Sequence, residues 1–135
     1  MRCVFCDIAS GKVAAEIVWR GDRALAFLDH RPLFPGHVLL IPSAHIDTLA
    51  DLPPAQVGPL FQAAQQLAVA VEKALAAEGT FIAVNNRVSQ SVPHLHVHIV
   101  PRSKGDGLRG FFWPRHAYDS EDHLRETAEK IRRAL

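Results

Sequence analysis

The chain has 135 residues, which is long enough for one hydrophobic core without covalent cross-links. Hydrophobic residues make up 48% and charged residues 21%, as in ordinary soluble domains, and a net charge of +1 gives no electrostatic attraction to nucleic acid or to an anionic membrane. No apolar run approaches the ~20 residues that span a bilayer, and no long apolar segment follows the basic residue near the N-terminus. We therefore expect one cytoplasmic domain over residues 1–135, with neither nucleic acid nor a membrane as its partner.

Two cysteines three residues apart, Cys3 and Cys6, lie near the start of the chain. A redox dithiol with this spacing is expected in a βαβ context, which the surrounding residues do not predict. Two thiolates can also form half of a zinc site, which needs two further ligands. Since the chain contains eight histidines, we favour a zinc half-site over a redox pair or two unconnected small residues.

A β-hairpin is predicted in the N-terminal third, with Gly21-Asp22 as its two-residue turn. His37 opens a later buried strand and His45 follows it. Taken alone, the first is an ordinary strand-end histidine and the second an ordinary loop residue. The predicted elements up to residue 42 are a helical turn at 8–12 stopped by Gly11, strands at 16–20 and 23–28, a loop at 29–36 and a strand at 37–42.

One long helix is predicted from Pro54 to Glu78, and we assign it to the core. Gly79 is expected to end this helix, and Pro59 to kink it or delay its start because proline lacks a backbone donor. The apolar stripe, with spacings of three and four, consists of Val57, Leu60, Phe61, Ala64, Leu67, Ala68, Val71 and Leu75.

A strand at residues 81–84 and a histidine-containing strand at 94–101 are predicted after this helix. The polar loop between them, residues 85–93, is short enough for the two strands to pair as antiparallel neighbours. Its amide and hydroxyl side chains are then expected to lie beside the histidines.

The C-terminal part is predicted to be irregular from 102 to 119 and helical from 120 to 134. Aromatic and basic residues alternate in the segment Phe111-Phe112-Trp113-Pro114-Arg115, which could contact a nucleotide, a partner subunit or its own domain. Ser120 suits an N-cap, and the last turn is basic. The apolar stripe of this helix is Leu124, Ala128, Ile131 and Leu135.

Histidine and apolar residues alternate from His94 to Ile99. In a β-strand, His94, His96 and His98 share one face, and the apolar residues between them share the other. The apolar face can pack on a core and leave three imidazoles facing a cleft. Near neutral pH an imidazole can be an acid, a base, a nucleophile or a metal ligand.

Two chemistries are open for these three histidines. A His-x-His pair with one further ligand can hold a catalytic zinc that keeps a position for water. Alternatively, one neutral imidazole attacks a phosphorus or acyl centre and forms a covalent intermediate that water opens. Its neighbours would then supply hydrogen-bond donors to the phosphoryl oxygens.

The run His94-Leu95-His96-Val97-His98-Ile99-Val100 resembles the signature of the histidine triad (HIT) family. The segment from Pro35 to His45 resembles the family's second motif, and Cys3 to Ile8 resembles the opening of its bacterial members. The three motifs lie between residues 3 and 102, in the expected order; the loop and helix of residues 103–135 are less diagnostic. The resemblance implies an α+β fold, with an antiparallel sheet of about five strands, one long helix and a C-terminal helix. It also implies a homodimer that hydrolyses or transfers nucleotides.

The resemblance further implies roles by position. His96 is expected to be the nucleophile that takes up a nucleoside monophosphate, with His98 and His37 beside the α-phosphate. The implied substrate contacts are Gln90 and Ser91 at the phosphate and leaving group, Asn85 near the phosphates, Asp29 at the ribose hydroxyls, and Phe5 and Ile8 at the base. Ser89 stands where the family usually has a glycine.

For members with the cysteine pair, the resemblance implies a zinc ion held by Cys3, Cys6, His45 and His94. Four protein ligands leave no open position, so this zinc is expected to be structural. At ~3.3 Å per residue, His94 and His98 lie about 13 Å apart along a strand, so one strip can serve a metal and a phosphate. A catalytic zinc on the histidine strip and a nucleotide-binding module without chemistry remain the alternatives.

Overall fold

The computed structural model describes residues 2–109 and 115–135. A five-stranded antiparallel sheet, in the order β1-β2-β3-β5-β4, forms its centre and confirms the predicted α+β fold. The strands are β1 (Ile17–Arg20), β2 (Ala24–Leu28), β3 (Val38–Pro42), β4 (Gly79–Val84) and β5 (Val97–Arg102). The helices are α1 (Val4–Ala9), α2 (Pro54–Leu75) and α3 (Glu121–Ala134), with a 3-10 turn at Leu49–Asp51. The predicted aromatic segment from Phe111 to Pro114 lies outside the described residues.

The central strands β3 and β5 carry apolar side chains on both faces, because a helix packs on each side of the sheet. On one face, strand residues including Val38, Leu40, Val97 and Ile99 pack under α2. On the other face, Phe5 and Ile8 of α1 pack against a cluster of Leu25, Phe27, Leu39 and Ile41. Each such side chain stabilises the fold by roughly 1.5–3 kcal/mol when it leaves water. No helix in the described ranges is long and apolar enough to cross a membrane.

The register of β3 and β5 brings two histidines together. Leu39 lies opposite His98 in the antiparallel ladder. His37 precedes Leu39 by two residues and therefore points to the same face, diagonally across from His98. Gly36 allows the turn into this strand: its φ is +98°, and a Cβ atom there would collide with the side chain of Leu75.

The predicted strand at 94–101 is wrong at its start, since β5 begins at Val97. The ladder with β3 ends at the pair Leu40 and Val97. Before that point the backbone pairs elsewhere, because Leu95 N–H donates to the carbonyl of Ile46 at 2.6 Å. Leu95 nevertheless faces the same side as Val97, as the alternating pattern predicts: both side chains are buried in the core under α2.

Two helix boundaries also differ from the prediction. The first helix covers Val4–Ala9 rather than 8–12, because the buried pair Phe5 and Ile8 is spaced to pack on one face of a helix. The long helix ends at Leu75 rather than Glu78, and Ala76 adopts the left-handed conformation that was expected of Gly79. Gly79 instead begins β4.

Candidate functional site

His96 is buried at the centre of the site, with 3% of its surface exposed. Its Nδ1 lies 2.7 Å from the backbone carbonyl oxygen of His94. A carbonyl only accepts hydrogen bonds, so Nδ1 carries the proton of the neutral ring. The lone pair of His96 is therefore on Nε2, which makes this nitrogen the available nucleophile or ligand.

His37 and His98 form a hydrogen-bonded pair beside His96. His37 Nδ1 accepts from the backbone N–H of Leu33 at 3.1 Å, so its proton is on Nε2. That Nε2–H donates to His98 Nδ1 at 3.0 Å. The proton of His98 consequently lies on its own Nε2, which remains available as a donor. The rings of His96 and His98 are in edge contact, with centroids 4.9 Å apart.

Burial keeps this histidine pair uncharged. The pKa of His98 falls from 6.5 to about 4, mainly because the ring is buried and in smaller part because His96 and His37 lie nearby. Burial also lowers the pKa of His37, and the carboxylate of Asp29 opposes that shift. Both rings are therefore expected to be neutral at pH 7.

Asp29 lies near the pair but is not hydrogen-bonded to it. Its Oδ2 is 3.8 Å from His37 Nδ1, which is too long for a hydrogen bond. Its Oδ1 instead accepts from the backbone N–H of Arg31 at 2.9 Å and fixes the turn after β2. The other carboxylate oxygen is left facing the side of the sheet that carries the histidines.

Helix α1 forms an apolar wall next to His96. The ring of Phe5 meets His96 edge-on, with centroids 5.1 Å apart, and also contacts His94 at 5.9 Å. Ile8 lies one helical turn further on and is buried with Phe5 in the same cluster. The wall is hydrophobic and aromatic, which suits a planar ring of a ligand.

In the polar loop of residues 85–91, the side chain of Gln90 is already engaged. Its Nε2 donates to the carbonyl of Asp47 at 2.6 Å, and its Oε1 accepts from Arg87 N–H at 3.0 Å. Ser91 is exposed and Asn85 is half-buried directly after β4. Ser89 has a φ of +60°, a backbone conformation that favours glycine.

The four residues Cys3, Cys6, His45 and His94 lie together, with one ligand atom of each within 4.8 Å of the others. Among the residues described, they are the one such group of three or more. The separations between sulfur and Nδ1 are 3.4 Å for Cys3 and His94, 3.3 Å for Cys6 and His45, and 3.6 Å for Cys6 and His94. A tetrahedral zinc with ordinary bond lengths requires sulfur–nitrogen separations of about 3.6 Å. The donor set and its dimensions therefore fit zinc.

The two histidines of this group are oriented as metal ligands. His94 Nε2 donates to the carbonyl of Pro42 at 2.8 Å, and His45 Nε2 donates to Asp47 Oδ1 at 2.7 Å. Both Nδ1 lone pairs therefore point toward the thiols. Burial lowers the pKa of His94 and keeps it neutral. Burial, Cys3 and Asp7 raise the pKa of the Cys6 thiol, a cost that a bound cation would offset.

Four groups in the site were not predicted from the sequence. Three are backbone groups that set ring protons and that no side-chain pattern encodes: the N–H of Leu33 and the carbonyls of Pro42 and His94. Asp47 could have been found, because the spacing His45-x-Asp47 places a carboxylate beside a predicted ligand. Carboxylates in that position commonly orient metal-bound histidines.

A cleft of about 660 Å³ lies away from the histidines, between β1, β2 and the first half of α2. Trp19, Pro42, Leu60 and Ala63 are among its lining residues. Cavity size alone would place a ligand here. No histidine or cysteine lines this cleft, however. The side chains that could act as a nucleophile or bind a metal lie on the other face of the sheet.

Comparisons with known proteins agree with the fold. The HIT domain family matches residues 10–105. A HIT family protein from Bacillus subtilis has a solved structure with 33% identity and a TM-score of 0.90, and the match covers 100% of this chain and 98% of that one. A zinc-bound histidine triad family protein from Mycobacterium smegmatis has 37% identity and a TM-score of 0.76, with 100% and 99% coverage.

Two similar proteins have named activities. The adenylylsulfatase of Arabidopsis thaliana is 31% identical over 98% of this chain and 69% of its own length. The asymmetrical bis(5'-nucleosyl)-tetraphosphatase of Schizosaccharomyces pombe is 36% identical over 70% of this chain and 53% of its own length. Both names describe cleavage of a nucleotide derivative.

Proposed function

The chain belongs to the HIT domain family, and we propose that it is a nucleotide hydrolase or nucleotidyl transferase that forms a covalent intermediate on His96. Its substrate is a nucleoside monophosphate joined to a leaving group, as in a dinucleoside polyphosphate or a nucleoside phosphoramidate. The observation that supports this most directly is the hydrogen bond from His96 Nδ1 to the carbonyl of His94, which leaves Nε2 free. The activities named for similar proteins agree with this substrate class.

In the proposed reaction, His96 Nε2 attacks the α-phosphorus. A nitrogen–phosphorus bond forms while the bond to the leaving group breaks, and the leaving group departs with the electron pair and takes a proton from solvent. The hydrogen bond to the carbonyl of His94 stabilises the positive charge on the ring. Water then attacks phosphorus and releases a proton to solvent, while the nitrogen–phosphorus bond breaks and its electron pair returns to Nε2. In a transfer reaction another hydroxyl group replaces the water.

His98 and His37 are proposed to stabilise the phosphoryl group. The chain of hydrogen bonds from Leu33 through His37 leaves His98 Nε2–H as a donor. A donor positioned in a half-buried site stabilises charge on the phosphoryl oxygens more strongly than it would in water. His98 is neutral at pH 7, so it supplies this donor without a change of protonation.

The remaining contacts are proposed from the resemblance to the HIT family. Phe5 and Ile8 offer an apolar wall for the base, and the free oxygen of Asp29 offers an acceptor for ribose hydroxyls. The proposed phosphate and leaving-group contacts are Asn85, Gln90 and Ser91.

We also propose that Cys3, Cys6, His45 and His94 hold a structural zinc. The donor chemistry and the separations support this assignment, as does the zinc-bound relative from Mycobacterium smegmatis. A zinc with four protein ligands supplies a cross-link and has no open position for substrate. In this chain the cross-link ties α1, and with it Phe5, to the residues next to His96.

A comparison of two histidine variants tests the proposed reaction. His96→Ala is expected to reduce turnover of a dinucleoside polyphosphate or a nucleoside phosphoramidate by at least ~10³-fold, because it removes the nucleophile. His123→Ala, on the exposed helix α3, is the matched control and is expected to keep the wild-type rate. Equal rates for the two variants would exclude His96 as the nucleophile. Tight nucleotide binding by the wild type without turnover would indicate a non-catalytic module instead.

The zinc assignment is tested by metal content and by stability. Wild type is expected to contain one zinc per chain, and the double variant Cys3→Ser with Cys6→Ser is expected to lose it and to unfold more easily, because metal binding is coupled to folding. Equal zinc in both proteins would refute this ligand set. Loss of activity on metal removal while the fold and nucleotide binding persist would favour a catalytic metal on the histidine strip.

A further inference from the structure

Asp47 connects the proposed metal site to the loop of residues 85–91. Its carboxylate accepts the Nε2–H of the ligand His45 at 2.7 Å, and its backbone carbonyl accepts the side-chain amide of Gln90 at 2.6 Å. Two residues further on, Leu49 N–H donates to Asn86 Oδ1 at 2.9 Å. The segment after β3 is therefore attached to the loop at two points and to the ligand set at a third.

The loop depends on such attachments because its backbone is unfavourable. Arg87 and Ser89 have φ values of +69° and +60°, in the left-handed region of the backbone, which residues with a Cβ atom rarely adopt. Gln90 closes the loop on itself through its bond to Arg87 N–H. The same amide group is held in place from outside by the Asp47 carbonyl, so the position of Asp47 determines where this strained loop sits.

The contact between His45 and Asp47 is weak unless His45 is itself held. Their side chains are 46% and 60% exposed. Ion pairs with this much exposure contribute little to stability, because water and salt compete for both groups. Coordination of His45 through Nδ1 would fix the ring and make its Nε2–H a stronger donor.

We propose that Asp47 is a positioning residue through which metal occupancy sets the conformation of residues 85–91 and so the binding of the substrate phosphates. The inference rests on the proposed metal site and on the proposed phosphate contacts of this loop. With metal bound, His45, Asp47 and Gln90 form one connected unit. Without it, His45 turns in solvent, and Asp47 no longer holds the loop in one position.

Metal retention provides the first test. In Asp47→Ala, zinc affinity, measured by transfer to a chromophoric chelator, is expected to fall 10–100-fold. Asp47→Asn keeps an oxygen acceptor for His45 and is expected to lose less. The matched control is Asp51→Ala: that carboxylate lies in the same segment and accepts from Thr48, but it does not contact His45. Equal losses in Asp47→Ala and Asp51→Ala would overturn the proposal, because they would indicate general loosening of the segment.

Amide hydrogen exchange provides the second test and does not depend on activity. In zinc-saturated Asp47→Ala, the N–H groups of Leu49 and Arg87 are expected to exchange several-fold faster than in wild type. The amides of β3 and β5 are expected to be unchanged, which shows that the fold is intact. Unchanged exchange at both loop-linked amides would contradict the connection.

Measurement of KM and kcat distinguishes the role proposed for Asp47 from the role proposed for His96. If the wild type turns over a nucleotide substrate, zinc-saturated Asp47→Ala is expected to raise KM several-fold with little change in kcat, because His96 is untouched. A fall in kcat with unchanged KM would overturn the assignment to phosphate binding. Failure of the wild type to turn over any substrate would refute the proposed reaction, while chelator transfer and hydrogen exchange would still decide the role of Asp47.

Discussion

The ring nitrogen that is tied by a hydrogen bond decides what each histidine of the site can do. In His96 the tied nitrogen is Nδ1, so Nε2 is free to attack. In His94 and His45 the tied nitrogen is Nε2, so Nδ1 is free to bind a metal. Alternation in the sequence placed His94 and His96 on one face, and the family resemblance implied the roles of these two residues and of His45. The sequence could not assign their protons, because the partners are mostly backbone groups such as the carbonyl of Pro42.

The low pKa of His98 predicts how stability responds to acid. The folded state keeps the ring neutral down to about pH 4, whereas the unfolded chain protonates it near 6.5. Between these values the unfolded chain binds more protons, so the free energy of unfolding falls as the pH falls, by at most about 1.4 kcal/mol per pH unit for one group. His98→Asn keeps an acceptor for His37 but cannot titrate, and it is expected to show a shallower fall.

This prediction is checked by denaturant unfolding of both proteins between pH 7 and pH 5 at constant zinc. The difference between the two pH profiles isolates His98 from the metal ligands, which both proteins share. Parallel profiles would show that the ring is not buried in its neutral form.

Strand pairing and helix periodicity determine the elements that carry the site. The hairpin of β1 and β2 was predicted from its turn residues, and the antiparallel pair β4 and β5 from the short loop between them. Element ends were predicted less well, because they depend on tertiary pairing. β5 starts at Val97, where β3 stops providing a partner, and α2 ends where Ala76 takes a left-handed conformation.

The end of α2 offers a test at this scale. Ala76 has a φ of +51°, which costs about 1–2 kcal/mol for a residue with a Cβ atom. Ala76→Gly is therefore expected to stabilise the protein by about 1 kcal/mol. Ala70→Gly, on the exposed side of the same helix, is the matched control and is expected to destabilise by roughly 0.5–1 kcal/mol. Urea unfolding measures both, and destabilisation by Ala76→Gly would show that the helix continues past this residue.

At the scale of the whole molecule, several large apolar side chains are exposed. Phe61 of α2 is 36% exposed, Val69 is 47% exposed, and Ile82 on the edge strand β4 is 43% exposed. Ile82 pairs with Ile99 and so faces the side of the sheet covered by α2, which packs against β4. Periodicity placed Phe61 in the core stripe, but it cannot distinguish a core face from a surface that a second subunit covers.

We propose that the exposed apolar side chains of Phe61, Val69 and Ile82 contact a second copy of the chain, with residues 1–135 acting as one domain in each copy. Wild type is expected to sediment at twice the 14.9 kDa chain mass. Ile82→Lys is expected to raise the dimer dissociation constant at least ~10-fold, because dimer formation would have to bury the charge of the lysine.

Val18→Lys is the control for this change. Val18 is a similarly exposed apolar residue, at 48%, on the opposite edge strand β1. The substitution Val18→Lys is therefore expected to leave the dimer intact. A monomeric wild type at all concentrations, or identical behaviour of the two lysine variants, would exclude the proposed surface.

Trapping the covalent intermediate tests the proposed role of His96 most directly. Wild type is mixed with excess substrate, quenched within one turnover, digested and examined by mass spectrometry. We expect one nucleoside monophosphate attached to His96, and no adduct on the His96→Ala variant. Turnover with no adduct, an adduct on a different residue, or full turnover by His96→Ala would contradict the proposal that this histidine attacks phosphorus.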